Sequence, residues 1–170
     1  MKNLALILIA LFCAFAASAK EMKKTDSAPK TETLLRVETE NGKFIELKAA
    51  DLSKLPRREV KGKTHDGAGA TFAGTELREI LKLAGVKFGK EAKGSHLNSF
   101  LVVEAADDYR VVFAMSELEA DLTDKVILLA DTRDGKPLSK AEGNLRLVVP
   151  DEKKQARWVR QVVVLKIKKI

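Results

Sequence analysis

From Leu34 onward, apolar and polar positions exchange over short distances, and the period of that exchange assigns the elements. "LLRVET" and "KFIELKA" flank Asn41-Gly42, whose residues tolerate the positive backbone angle of a tight turn, so the pattern predicts an opening β-hairpin. "AADLSKLP" predicts a short helix, with Asp51 or a neighbour capping its start and Pro56 ending it. "REVKG" leads as a strand into a loop at His65-Asp66, and "ATFAG" returns from it. In "GTELREILKLAG", Leu77, Ile80, Leu81 and Ala84 share one helical face while Arg78, Glu79 and Lys82 point away. Thr75 is placed to cap that helix and Gly85 to end it.

"SFLVVEAA" and "YRVVFA" predict two strands joined at Asp107-Asp108, a second hairpin, and "MSELEA" a helical turn capped by Ser116. "KVILLAD" predicts a buried strand and "TRDGKPLS" a turn around Asp134-Gly135. "NLRLVVP" and "RQVVVLKIKKI" add strands on either side of the basic turn "DEKKQARW". About seven or eight strands with two or three short helices make an α+β domain with mixed, mostly antiparallel sheets. The alternating βαβ units of a Rossmann fold are absent, and no internal repeat is found.

The amino end follows different rules. Lys2 and Asn3 precede an unbroken apolar run, Leu4 to Ala16, too short to span a bilayer comfortably, and Ala17-Ser18-Ala19 supplies the small residues of a cleavage site. Residues 1–19 are therefore expected to be a signal peptide cut before Lys20, placing the protein in the periplasm or outside the cell with no transmembrane segment in the mature chain. The stretch "KEMKKTDSAPKTET", residues 20–33, has no apolar periodicity and is expected to be a flexible linker. Residues 34–170 form the expected domain, long enough for one sizeable core.

Composition narrows the chemistry further. The single cysteine, Cys13, lies in the apolar run, so a chain cleaved at Lys20 has no disulfide, no thiolate metal ligand and no cysteine nucleophile. The net charge is +7, of which Lys2 contributes one. That balance suits an anionic ligand or surface, but export argues against nucleic acid. The aromatic residues, 5% of the chain, do not interleave with basic ones as a base-stacking surface requires.

Two kinds of candidate residue stand out. His65 with Asp66 has the composition of a carboxylate-oriented imidazole; Asp66-Gly67 is equally a turn dipeptide, which makes a hairpin tip the stronger reading. His96 sits in the polar loop "KGSHLNS" and reads as structural. Arg110, Arg146, Arg157 and Arg160 carry the paired donors that recognise phosphate or carboxylate. Arg110 and Arg146 also alternate with apolar neighbours, the pattern of solvent-facing positions. Trp158 reads first as a cover for the core edge and second as a stacking platform. Lys166, Lys168 and Lys169 read as a solvated face and an edge guard.

Five pieces in order carry a family resemblance: Gly74-Thr75-Glu76-Leu77 opening the helix, Asp108-Tyr109-Arg110 opening a strand, Asp134-Gly135-Lys136-Pro137-Leu138 in a turn, Leu145-Arg146-Leu147-Val148-Val149-Pro150, and Arg157-Trp158-Val159. Together they resemble the oxidoreductase molybdopterin-binding domain, the catalytic domain type of sulfite oxidase and its bacterial relatives, over roughly residues 34–170. The resemblance implies a pterin dithiolene holding molybdenum, with a cysteine from the loop before the long helix as a further ligand to the metal, a soft donor that histidine and carboxylate do not replace. The corresponding stretch here, "EVKGKTHDGAGATF", contains no cysteine, and His65 and Asp66 lie near its expected place.

The sequence therefore leads to a short exported member of that family, acting as a non-catalytic or accessory binding module. A molybdopterin-dependent oxidoreductase with a non-standard site and a structural partner-binding scaffold are the competing readings. The ligand expected is an anionic small molecule or pterin, with molybdopterin the cofactor implied by resemblance alone. His65, Asp66, Arg110, Arg157 and Arg160 are the candidate binding residues, and a periplasmic protein is the candidate partner. No catalytic residue and no metal ligand is assigned.

Overall fold

Period-two alternation turns directly into strands. Ser99–Ala105 alternates strictly between buried and half-buried positions, and Arg110–Ala114 between exposed and buried ones. A computed structural model of the protein describes residues 33–64, 67–92 and 94–170, which fall within one compact unit running 31–170. Ten strands are present among the described residues, more than the seven or eight expected; one addition is the two-residue strand Lys136–Pro137 after Asp134-Gly135, which pairs briefly with the strand before that turn. The fold class is the expected one: α+β, with mixed and antiparallel sheets and few helices.

The first sheet has β1 (Leu35–Glu38), β2 (Phe44–Leu47), β5 (Ser99–Ala105), β6 (Arg110–Ala114) and β10 (Val162–Lys169) in the order β2-β1-β10-β5-β6. β1 and β2 form the opening hairpin, with Gly42 at φ 77° in its turn. β5 and β6 form the second, with Asp108 at φ 66°. β10 inserts between them, parallel to β1 and antiparallel to β5. Its lysines are therefore not guarding an edge. Lys166 instead bonds Glu104 on β5 at 2.8 Å, a cross-strand pair.

The second sheet orders β3 (Arg58–Lys63), β4 (Gly69–Glu76), β7 (Leu128–Arg133) and β8 (Lys136–Pro137), with β9 (Arg146–Val148) also paired to β7. β3 and β4 pair in register from Arg58↔Gly74 to Lys63↔Gly69. The β7–β8 turn is closed by Asp134 and Gly135 at φ 50° and 73°.

Two α-helices appear, α1 (Ala49–Leu52) and α2 (Leu77–Leu83). In α1 Asp51 does not occupy the cap itself; it stands at the third helical position and accepts from the Lys48 backbone N–H at 3.0 Å. α2 buries Leu77, Ile80 and Leu81 as its periodicity predicts, and Gly85 follows it at φ 83°. Thr75 does not cap it. The residue stays in β4, 4% exposed and opposite Leu129, so the strand runs directly into the helix and Glu76 takes the cap position. Ser116 likewise falls inside a 3₁₀ turn, Met115–Leu118, that starts from Ala114. The inner faces of the two sheets and α2 share one apolar core, in which Leu35, Phe72, Leu101, Phe113, Leu147 and Leu165 are fully buried. No helix among the described residues is long and apolar enough to cross a membrane.

Candidate functional site

Where the β3–β4 hairpin meets the segment between β9 and β10, the chain leaves two adjoining hollows of about 480 and 870 Å³ that share Lys154, Gln155 and Trp158. Their common wall is Trp158. Its indole is 6% exposed, donates from Nε1 to the Val149 carbonyl at 2.9 Å, and meets Phe72 edge-on at 5.7 Å between ring centres. This is the core-edge role expected of it. The indole presses so closely on Gly62 that a Cβ there would fall 2.4 Å from the ring, so β3 needs glycine at that point.

The floor is Arg146. The alternation of β9 suggests a solvent-facing side chain, yet all three residues of this strand are buried, and Arg146 is 3% exposed. Its guanidinium lies between the Phe72 and Trp158 rings, 5.3 and 5.6 Å from their centres, and pairs with Glu142 at 2.5 Å. Its Nε, also buried, has no hydrogen-bond partner among the described residues. Burial pulls Arg146 below its ordinary value, with the Glu142 bonds opposing. Burial alone would raise the Glu142 carboxyl, but the Ser139 hydroxyl and backbone N–H and the Arg146 guanidinium together lower it to about 2. The result is a buried, ionised pair under the aromatic wall.

The rim is basic. Lys61 and Lys63 line it from β3, Lys153 and Lys154 from the turn after β9, and Arg160 from the approach to β10, against Asp107, Asp151 and Glu152. Two anchors hold the rim in place: the Tyr109 hydroxyl donates to the Ala156 carbonyl at 2.7 Å, and the Gln155 side chain reaches the Lys63 carbonyl. Both residues line the hollows; Tyr109 enters the sequence reading only as part of the strand-opening motif Asp108-Tyr109-Arg110, and neither is among the candidate binding residues.

Of the five predicted residues, the three that the structure describes do not converge. Arg160 lines the smaller hollow, is exposed, and has no carboxylate within ion-pair distance among the described residues. Arg157 is part of the scaffold. It bonds Glu117 at 3.1 and 3.2 Å, contacts Glu152, donates to the Val112 carbonyl, and lies 4.2 Å from the centre of the Phe113 ring. Burial alone would lower its pKa, but the Glu117 and Glu152 carboxylates outweigh burial and raise it. Arg110 lies at the edge strand β6 and pairs with Glu104 at 2.9 Å, outside the lining of either hollow. His65 and Asp66 lie outside the described residues. Of the described residues around them, Thr64 and Gly67 line the larger hollow, and the Thr64 backbone N–H donates to the Ala68 carbonyl at 2.7 Å. His96, by contrast, is not a polar-loop residue at all: it is 6% exposed and pairs with Glu119 elsewhere in the molecule.

The sequence matches the family described as oxidoreductase molybdopterin binding domain over residues 22–169. Among solved structures, the fold is similar to the sulfane dehydrogenase SoxCD from Paracoccus pantotrophus, with a TM-score of 0.62 at 22% identity. That match covers 81% of this chain and 38% of the other, so the protein spans well under half the length of this structural relative. No curated protein matches the sequence. With a family match across most of its length, the chain belongs to the oxidoreductase molybdopterin-binding domain family.

Proposed function

We propose that the protein is an exported accessory module that uses the basic cleft around Trp158 to hold an anionic small molecule, the family's pterin being one candidate, and that it has no molybdenum chemistry of its own. The donor set is what argues against the metal. The sole cysteine of the chain is Cys13, which precedes residues 34–170 in the sequence, and no cluster of three histidine, cysteine or carboxylate side chains able to hold a metal exists among the described residues. A high-valent molybdenum asks for soft anionic sulfur from the protein, and nothing in the described residues of the domain supplies it. The residues present do not fit that centre, and no reaction step is assigned through it.

The observation that carries the proposal is the cleft itself, where Lys61, Lys63, Lys153, Lys154 and Arg160 surround an aromatic wall. An anionic ring system gains charge pairing from the rim and an apolar face from Trp158. The apolar run and small-residue site at residues 4–19 support export.

The decisive experiment is metal and pterin analysis of the full chain, purified from a host that makes the cofactor. Molybdenum well below stoichiometric amounts is expected; stoichiometric molybdenum with a pterin chromophore sinks the proposal. Combining Arg160→Ala with Lys154→Ala is expected to lower retention of a copurified anion by about tenfold while leaving stability within about 0.5 kcal/mol, as surface substitutions do. Unchanged retention removes the cleft from the proposal.

A further inference from the structure

The outward face of the first sheet departs from the rule that the solvated side of an antiparallel sheet is polar. On β5 and β6 the outward positions include Phe100, Val102, Val112 and Ala114, set in two cross-strand rows, Phe100↔Ala114 and Val102↔Val112. None of the four belongs to the apolar core. Val112 is 51% exposed and Ala114 is exposed, while Phe100 and Val102 are half-buried. A contiguous apolar patch of this kind marks a contact surface. The β6 edge beside it is not free for strand addition, because its outward Val112 carbonyl accepts from Arg157 at 3.2 Å and its Ala114 N–H donates to Glu117 at 3.1 Å. A partner must therefore lie on the face.

Charge selects that partner. Beyond Val102 the next outward row is Glu104↔Arg110, paired at 2.9 Å with the Arg110 side chain 57% exposed. On the β10 side, Lys166 stands opposite Val102 and bonds Glu104 at 2.8 Å. Farther out, Arg36 and Glu38 pair with each other at 2.9 Å, and Glu46 takes the Thr33 hydroxyl. That leaves Lys168, opposite Phe100, as the one cation of the face with no carboxylate within ion-pair distance among the described residues. The face lacks an anion at its Phe100 end and carries one, Glu104, at the other.

A second copy of the chain supplies what is missing. Phe100 and Glu104 lie equally far along β5 from Val102, so a two-fold axis crossing the strands at Val102 and Val112 lays the Phe100–Ala114 row of one copy over the Glu104–Arg110 row of the other. Lys168 then comes beside Glu104 of the other copy, and the Arg110 guanidinium comes over the Phe100 ring. Arg36 and Arg157 already make the latter contact within one chain, 3.8 and 4.2 Å from the centres of Phe44 and Phe113. We infer that the outward face of β5 and β6 is the interface of a two-fold homodimer, with Val102 and Val112 at its centre and a Lys168–Glu104 pair at each end. Area sets its strength: five strands about 4.8 Å apart and roughly 20 Å long make a face on the order of 500 Å², under the roughly 800 Å² per partner of a stable complex. The dimer is weak and reversible.

Sedimentation velocity of the chain purified from an exporting host, at about 5 µM to about 500 µM, tests the interface. The mean mass is expected to climb from monomer toward dimer, with a midpoint on the order of 100 µM. Val112→Asp, at the exposed centre, should keep the chain monomeric throughout, and Lys168→Glu should weaken association about fivefold or more by placing like charges together. A wild-type chain that stays monomeric leaves the face to residues 1–32 or to another protein and overturns the inference. Association undiminished in either variant overturns it as well. If a variant does not fold, the concentration dependence of the wild-type amide resonances replaces it. Shifts gathered on β5, β6 and β10 support the interface, and shifts confined to other elements overturn it.

Discussion

Among the ion pairs of this protein, depth separates those that matter from those that do not. Exposed pairs such as Lys54–Asp51 and Lys87–Glu91 are worth about 0–1 kcal/mol each. Glu142–Arg146, at 8% and 4% side-chain exposure, belongs to a different regime: removing one partner strands the other charge without water. Glu142→Ala should therefore lower unfolding stability by about 3–5 kcal/mol in urea titration. The same carboxyl predicts a pH response. Its folded pKa of about 2 lies below the ordinary 4.5, so its contribution is complete above about pH 4.5 and is lost as pH falls toward 2. Glu142→Gln should flatten the acid limb of the stability curve across that window, and an unchanged limb would show that the carboxyl is not the group responsible.

The elements depend on a few places where backbone must approach backbone. β4 and β7 slip register between Ala73 and Gly74, and a Cβ on Gly74 would lie 2.1 Å from the Leu129 carbonyl oxygen. Because the obstacle is main chain, rotamer changes cannot relieve it. Gly74→Ala should cost at least about 3 kcal/mol, the upper end for overpacked interiors, with hydrogen exchange rising first along β4 and β7. Gly42→Ala in the opening turn meets no atom within 4 Å and should cost less, through its positive φ alone. A second anchor ties the start of β3 to β7: Arg57, just before β3, makes a two-pronged bond to Asp131 on β7 at 2.7 and 2.8 Å. The Asp131 bonds raise the pKa of that guanidinium.

At the scale of the molecule, β10 closes the fold. It is the last strand in the chain, yet it sits in the middle of the first sheet, joining the β1–β2 hairpin to β5–β6. Leu165 and Ile167 from it enter the core shared with the second sheet. A single cooperative transition is therefore expected in calorimetry, with calorimetric and van't Hoff enthalpies equal. A chain ending at Gln161 should show no cooperative transition at all. A folded truncated protein would show that the two hairpins do not depend on their seam.

The sequence by itself determined the strands, the hairpin turns at Asn41-Gly42, Asp107-Asp108 and Asp134-Gly135, the buried face of α2, and the family. These are local properties: side-chain periodicity, the backbone freedom of turn residues, and short motifs in order. It also determined that no cysteine lies in the domain. The tertiary structure alone decided which charged residues are functional candidates. Arg146 looked solvent-facing because alternation assumes one wet face, and β9 is covered on both. Arg157 looked available because its two carboxylates, Glu117 and Glu152, reach it only through folding. His96 acquired Glu119 from across a loop, a pairing that no spacing encodes. Periodicity reports which side of an element faces inward, while partnership depends on which elements the topology brings side by side.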